Sequence, residues 1–195
     1  MNNSLSSSPK TASLPQEWCV SLIGMAGAGK TTIGKLVARA LGWAFADSDH
    51  IIESAYATQL QNISETLGKE AFIAMEAEIV GGLRLARTVL ATGGSVIYRA
   101  STMEHLRAMG PVIYLKAPMD VILERIARNP DRGLAIAPGQ TVEQLFRERE
   151  DLYERYATVT VDTVRLSPAG CAARVIESLS GLNPAPCVGD ASPTA

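Results

Sequence analysis

Directly after the apolar run Cys19-Val20-Ser21-Leu22-Ile23, the chain reads Gly24-Met25-Ala26-Gly27-Ala28-Gly29-Lys30-Thr31. This spacing of glycines, lysine and hydroxyl suits the phosphates of a nucleotide. Glycines let successive backbone N–H groups converge on an anion without interference from Cβ atoms. A helix beginning at Lys30 would present its positive end to the same anion. Gly27, Ala28, Gly29, Lys30, Thr31 and Thr32 are therefore the expected nucleotide-binding residues. Lys30 is placed to reach the β- and γ-phosphates, and the Thr31 hydroxyl to ligate Mg²⁺. ATP and Mg²⁺ follow as expected cofactors. A glycine-rich turn with a surface lysine is the plain alternative, and the flanking strand and helix speak against it.

Asp47 and Asp49 stand two residues apart behind a second short extended stretch, Ala44-Phe45-Ala46. One carboxylate there can hold magnesium while the other orients a substrate hydroxyl and takes its proton. Taken alone, the pair also reads as a helix N-cap beside a solvated turn aspartate; the neighbouring phosphate loop favours the chemistry. Gly93-Gly94 behind Val89-Leu90-Ala91 either makes a simple turn or lets a ligand approach the backbone closely. Arg132, in a segment rich in proline and glycine, is either an exposed loop arginine or a charge clamp for a transferring phosphoryl group. Arg149 lies in the charge run Arg147-Glu148-Arg149-Glu150-Asp151, where local sequence predicts surface ion pairs.

Positioning these residues requires short buried strands with helices between them. Residues 30–41 carry Ile33, Val37, Ala40 and Leu41 on one helical face, and Gly42 ends that helix. Helical patterns follow at about 49–57 and 64–85, with Gly81-Gly82 loosening the second. Strands are predicted at 89–91, 112–115 and 159–162. Ser101 with Glu104 suggests a capping box, Pro118 a helix start, and Thr141 with Gln144 the cap of a charged helix reaching about Tyr156. Pro168 to Leu179 reads as a last helix, and residues 128–140 as a mobile loop. Alternating strands and helices predict an α/β fold, a five-stranded parallel sheet in three layers. Ligands in such sheets bind beyond the carboxyl ends of the strands, where segments 24–31, 47–49 and 92–95 fall.

The chain has 195 residues and a net charge of −2, with 47% hydrophobic and 19% charged residues. That composition describes one compact domain, expected at 16–182, between Ser- and Pro-rich tails at 1–15 and 183–195 that read as flexible. No basic stripe suggests nucleic acid, and no apolar run suggests a membrane span. Cys19, Cys171 and Cys187 lack metal-ligand or disulfide spacing. Cys19 reads as a small buried residue. A cytoplasmic monomer acting on a small hydroxylated molecule is the expectation.

Taken together, the segments resemble the shikimate kinase family over roughly 20–179. The resemblance rests on residues 24–35, Asp47-Ser48-Asp49 with Ile52-Glu53, Phe72 with Glu76, Ala91-Thr92-Gly93-Gly94, Arg132-Gly133-Leu134, Arg149 with Leu152-Tyr153 and Ala157, and Val161-Asp162-Thr163. It implies a nucleoside-monophosphate-kinase-like architecture whose lid spans about 128–140. Asp47 would help hold Mg²⁺, Asp49 would orient the acceptor hydroxyl, and Gly93 and Gly94 would line the acceptor site. Arg149 would grip the acceptor carboxylate and Arg132 would reach the phosphates from the lid. Arg125 and Pro168 would flank adenine. Three departures stand out: Phe72-Ile73 replaces the family's Phe-Arg, Ser95 replaces a third glycine, and Gly133-Leu134-Ala135 replaces Pro-Leu-Leu. The phosphate-handling residues are all present while the acceptor side differs. The expected activity is thus transfer of the γ-phosphoryl group of ATP to a small anionic hydroxy compound. Shikimate remains open as acceptor if another basic residue replaces the arginine, and homoserine is an alternative. A non-catalytic metabolite sensor and a nucleotide kinase are competing readings. Intact Lys30, Thr31, Asp47 and Asp49 disfavour the first, and the short 50–64 segment disfavours the second.

Overall fold

The computed structural model describes residues 14–128 and 134–182. Five strands, β1 (Cys19–Ile23), β2 (Ala44–Asp47), β3 (Thr88–Ala91), β4 (Val112–Lys116) and β5 (Val159–Asp162), form one sheet. The order is β2-β3-β1-β4-β5, and every pairing is parallel. β1 and β3 are buried along their whole length. Strands of continuous apolar residues need cover on both faces, which the intervening helices supply. This is the three-layer α/β architecture expected from the sequence. Val20, Leu22, Val89, Leu90, Ile113 and Leu115 form the centre of the core. Leu14, ahead of β1, packs against it.

The helices are α1 (Lys30–Leu41), α2 (Ser48–Tyr56), α3 (Leu60–Gly82), α4 (Ala100–Met109), α5 (Met119–Ala127), α6 (Val142–Tyr156) and α7 (Pro168–Ser180). Gly42 closes α1 in the left-handed conformation, its N–H bonded back to the last turn, as a C-terminal glycine should. The Thr141–Gln144 capping box is present on α6. Three local expectations need correction. The long helix starts at Leu60, not Ser64, ends at Gly82, not Leu85, and is broken at Gly68 (φ 72°, ψ 171°), which only glycine adopts readily. Ser101 caps nothing: α4 begins at Ala100 behind an extended Arg99 and has no side-chain cap. Pro118 stands as the N-cap of α5, one residue ahead of its first turn.

A second apolar cluster joins α2 and α3: Ile52, Leu60, Ile63, Phe72, Ile73 and Met75, together with Ala135. The described half of the predicted mobile loop is anchored there. Ala135 is buried, and the Gln140 side chain ties the Ala137 N–H to Glu148. Cys19 is fully buried, as expected, and desolvation pushes its thiol up to about 12. No helix among the described residues is long and apolar enough to cross a membrane.

Candidate active site

β1 is the switch point of the sheet: β3 lies on one side of it and β4 on the other. The glycine-rich loop leaves its carboxyl end, where a crevice is expected. Gly29, at φ 99°, delivers the chain into α1. Gly24 (φ 142°) passes so close to β4 that a Cβ would stand 2.7 Å from the Leu115 carbonyl oxygen. The loop opens into a cleft of about 750 Å³.

Each predicted nucleotide-side residue that the structure describes lines this cleft: Gly27, Ala28, Gly29, Lys30, Thr31 and Thr32 from the loop, together with Arg125 and Pro168. Arg125 donates to the Gly27 carbonyl at 2.9 Å, tying α5 to the loop. Lys30 Nζ donates to the carbonyls of Gly24 (2.7 Å) and Met25 (3.0 Å), so its charge is held over the loop. Thr31 Oγ1 donates to Asp47 Oδ2 at 2.8 Å. The other Asp47 oxygen accepts from the Asp49 N–H at 3.1 Å and caps α2. Asp47 is thus the N-cap that the sequence allowed for, and it also pairs with the loop threonine. Hard oxygen donors of this kind suit Mg²⁺. Arg132 lies outside the described residues.

The acceptor side is built around the turn after β3. Gly93 donates to Ser48 Oγ at 2.8 Å, which locks the turn to the start of α2. A Cβ on Gly93 would stand 1.8 Å from Glu76 Oε1 and 2.8 Å from Asp49 Oδ1. On Gly94 it would stand 2.7 Å from Arg149 Nη1. At both glycines the missing Cβ leaves room for the end of a neighbouring charged side chain. Arg149 overturns its local reading too. It is 1% exposed and makes no surface ion pair. Its Nε donates to the Tyr98 hydroxyl (3.1 Å), and its Nη2 to Ser95 Oγ (3.0 Å) and to the Ala135 carbonyl (3.2 Å). Ser95 holds the guanidinium. Tyr153, one turn on, donates to the Gly94 carbonyl at 2.8 Å.

Asp49 Oδ1 and Glu76 Oε2 are buried and meet no hydrogen-bond partner among the described residues. Burial first, then the charge of Asp47, pushes Asp49 up to about 6, against the pull of Lys30. Burial and then Asp49 push Glu76 up to about 8, against Arg149 and Lys30. Carboxylates so displaced mark functional clefts more often than structural surfaces. Glu76 was missed as a site residue, as were Ser48, Tyr98 and Tyr153. A signal for Glu76 did exist. It falls in the buried face of α3 with Phe72, Ile73 and Val80, where a carboxylate has no structural reason to stand. Ile73 does not line the cleft; it is packed in the second apolar cluster.

A phosphate loop at a sheet switch point, with a threonine–aspartate pair and an enclosed acid beside it, defines a phosphate-loop small-molecule kinase. The shikimate kinase family model matches residues 26–180. A shikimate kinase of Methylococcus capsulatus is 41% identical over 160 residues, covering 80% of this chain and 89% of the relative. One from Thiobacillus denitrificans is 39% identical over 152 residues, covering 76% and 83%. The structure of Acinetobacter baumannii shikimate kinase in complex with shikimate superposes with a TM-score of 0.76 at 34% identity, covering 83% of this chain and 92% of that one. The chain belongs to the shikimate kinase family. It is an ATP-dependent phosphotransferase with an alcohol group as acceptor.

Proposed function

We propose that the chain carries the γ-phosphoryl group of Mg·ATP onto a hydroxyl of a small carboxylated acceptor of the shikimate type, as a cytoplasmic monomer whose kinase domain spans 16–182. The observation that carries this reading is the enclosed Asp49 oxygen, without a partner among the described residues, beside the Thr31–Asp47 pair. Thr31 and Asp47 would hold Mg²⁺, which when bound spreads and neutralises phosphate charge. The loop amides of Gly27 to Thr32 and the start of α1 bind the phosphates, and Lys30 swings from the Gly24 and Met25 carbonyls to them. Arg125 and Pro168 flank the base. Arg149, fixed by Tyr98, Ser95 and Ala135, turns Nη1 toward Gly94 and receives the acceptor carboxylate. Asp49 accepts a hydrogen bond from the acceptor hydroxyl and takes its proton as the oxygen bonds to the γ-phosphorus and the bond from that phosphorus to the bridging oxygen breaks, releasing ADP. Such catalysis is mostly positioning and charge stabilisation. Arg132, the expected lid arginine, belongs to the same reading on sequence grounds alone.

Shikimate, the acceptor that names the relatives, is the first to test. The comparisons lend no support to a sensor or a nucleotide kinase. Coupled ADP-release assays with shikimate and other small hydroxy acids should show acceptor-dependent turnover that Lys30→Met abolishes. ADP release equal with and without every acceptor would refute the proposal.

A further inference from the structure

Arg149 is the cation that faces the acceptor side, and most of its hydrogen-bonding capacity is already committed. A guanidinium carries five N–H donors in a fixed planar fork and grips a carboxylate best with two parallel ones. Here Nε donates to the Tyr98 hydroxyl at 3.1 Å, and Nη2 donates to Ser95 Oγ at 3.0 Å and to the Ala135 carbonyl at 3.2 Å. The Tyr98 ring lies against the guanidinium on one side and against Lys69 as well, at 5.2 and 5.4 Å, which holds that arrangement in place. Both N–H groups of Nη2 are thereby spent. Nη1, 2.7 Å from where a Gly94 Cβ would stand, bonds to nothing among the described residues and is the nitrogen left for a ligand. A two-nitrogen grip would have to break a bond that holds Arg149. The other basic residues that line the cleft stand elsewhere: Lys30 and His50 at the starts of α1 and α2, Arg125 and Arg128 at the end of α5. Ile73 brings no charge and packs in the second apolar cluster. One oxygen of an acceptor carboxylate is thus provided for, and the other needs a donor.

Ser95 has one to give. It follows Gly94 in the turn after β3, is 3% exposed and lines the cleft beside Gly93, Gly94 and Arg149. Its Oγ accepts from Arg149 Nη2, while its own hydrogen meets no acceptor among the described residues. A hydroxyl that accepts from a guanidinium is polarised into a better donor. Because Ser95 Oγ is bonded to Nη2, which shares a carbon with Nη1, the hydroxyl and Nη1 are close enough to serve the two oxygens of one carboxylate. Resting on the phosphoryl-transfer reading above, we propose that Ser95 is a substrate-binding residue whose hydroxyl donates to one oxygen of the acceptor carboxylate while Arg149 Nη1 donates to the other. A neutral hydroxyl thus does the work of a second cation. One guanidinium and one hydroxyl match a planar group of single negative charge. A phosphate ester, with a second negative charge, would leave charge unanswered in an enclosed site. The acceptor class is therefore a monocarboxylate.

The test is KM and kcat of the full chain for shikimate at saturating Mg·ATP, in the wild type, Ser95→Ala and Ser95→Gly. Loss of a hydrogen bond to a carboxylate in an enclosed site predicts a KM raised by about 10-fold or more in both variants, with kcat changed little. Ser95→Thr, which keeps the hydroxyl, should recover part of the loss. Ser95→Gly removes atoms without adding any, so it serves if Ser95→Ala fails to fold. Tyr98→Phe separates contact with substrate from support of Arg149: it deletes the other side-chain bond to the guanidinium, of similar length, and touches no part of the carboxylate. Its KM should rise much less than that of Ser95→Ala; an equal rise means that Ser95 acts only through Arg149 and overturns the inference. An unchanged or lower KM in both Ser95 variants overturns it too, because the second oxygen then belongs to a backbone amide of the turn or to a freed Nη2. So does a wild type that phosphorylates a phosphate ester and no carboxylate. Each of these results leaves the kinase reading intact, whereas no turnover of any acceptor by the wild type overturns both.

Discussion

Gly93→Ala isolates the acceptor side from the nucleotide side with one methyl group. The Gly93 backbone lies outside the left-handed region, so alanine meets no conformational penalty and any effect is steric. The new Cβ would stand 1.8 Å from Glu76 Oε1, 3.1 Å from Glu76 Cδ and 2.8 Å from Asp49 Oδ1. Glu76 must then retreat by about 1.5 Å to regain normal contact, into a site where it is fully enclosed. Overpacking of this kind costs about 1–3 kcal/mol, which for a domain of this size lowers Tm by roughly 2–10 °C. Displacing a group that positions the acceptor by about 1 Å can cost about 100-fold in rate. The expected outcome is a fall of that order in kcat/KM for the acceptor, measured by coupled ADP release. ATP affinity, measured by nucleotide titration, should stay within about twofold, because the loop of residues 24–31 is untouched. Gly82→Ala is the matched control, since its Cβ would meet nothing within 4 Å. An alanine at position 93 with wild-type Tm and wild-type acceptor kinetics would refute the placement of Glu76 and Asp49 at this turn.

Three further expectations follow. Asp49 must be ionised to take the hydroxyl proton, so kcat/KM should rise with pH through about 6; a profile flat from pH 5 to 7 would contradict the role. Glu76 sits above its unfolded value, so the folded protein binds the extra proton between about 4.5 and about 8. Stability without ligand should therefore fall as pH rises through that window, and denaturant titration of Glu76→Gln should show a much flatter dependence. Asp47→Asn should weaken the apparent Mg²⁺ affinity by about 10-fold or more and leave folding stability lowered by no more than about 1 kcal/mol, since asparagine still caps α2; an unchanged Mg²⁺ titration would remove Asp47 from the metal site.

The sheet was readable from sequence because a buried parallel strand is a short apolar run, and β1, β3 and β4 all read that way. The nucleotide side was readable for the same reason: its ligands are largely backbone groups of one contiguous loop. The acceptor side was not legible from local sequence, and Asp49, Gly93, Gly94 and Arg149 were expected there through the family resemblance. Arg149 sits in a run of surface-type charges, and what buries it comes from Ser95, Tyr98 and Ala135, more than a helical turn away in sequence. Ser101 and Glu104 satisfied a capping pattern that tertiary structure did not use, because Arg99 takes the extended cap position. The break at Gly68 was hidden because the apolar period on either side of it continues.

Movement of a phosphoryl group from ATP to a hydroxyl positioned by Asp49 can be followed directly. The direct measurement is transfer of label from γ-phosphate-labelled ATP to acceptor, followed by chromatography, in the wild type and in Asp49→Asn. The account predicts label in the phosphorylated acceptor, at a rate at least about 100-fold lower in the variant, with ATP binding preserved. Label appearing only as inorganic phosphate in the wild type, or transferred at equal rates by both proteins, would contradict it.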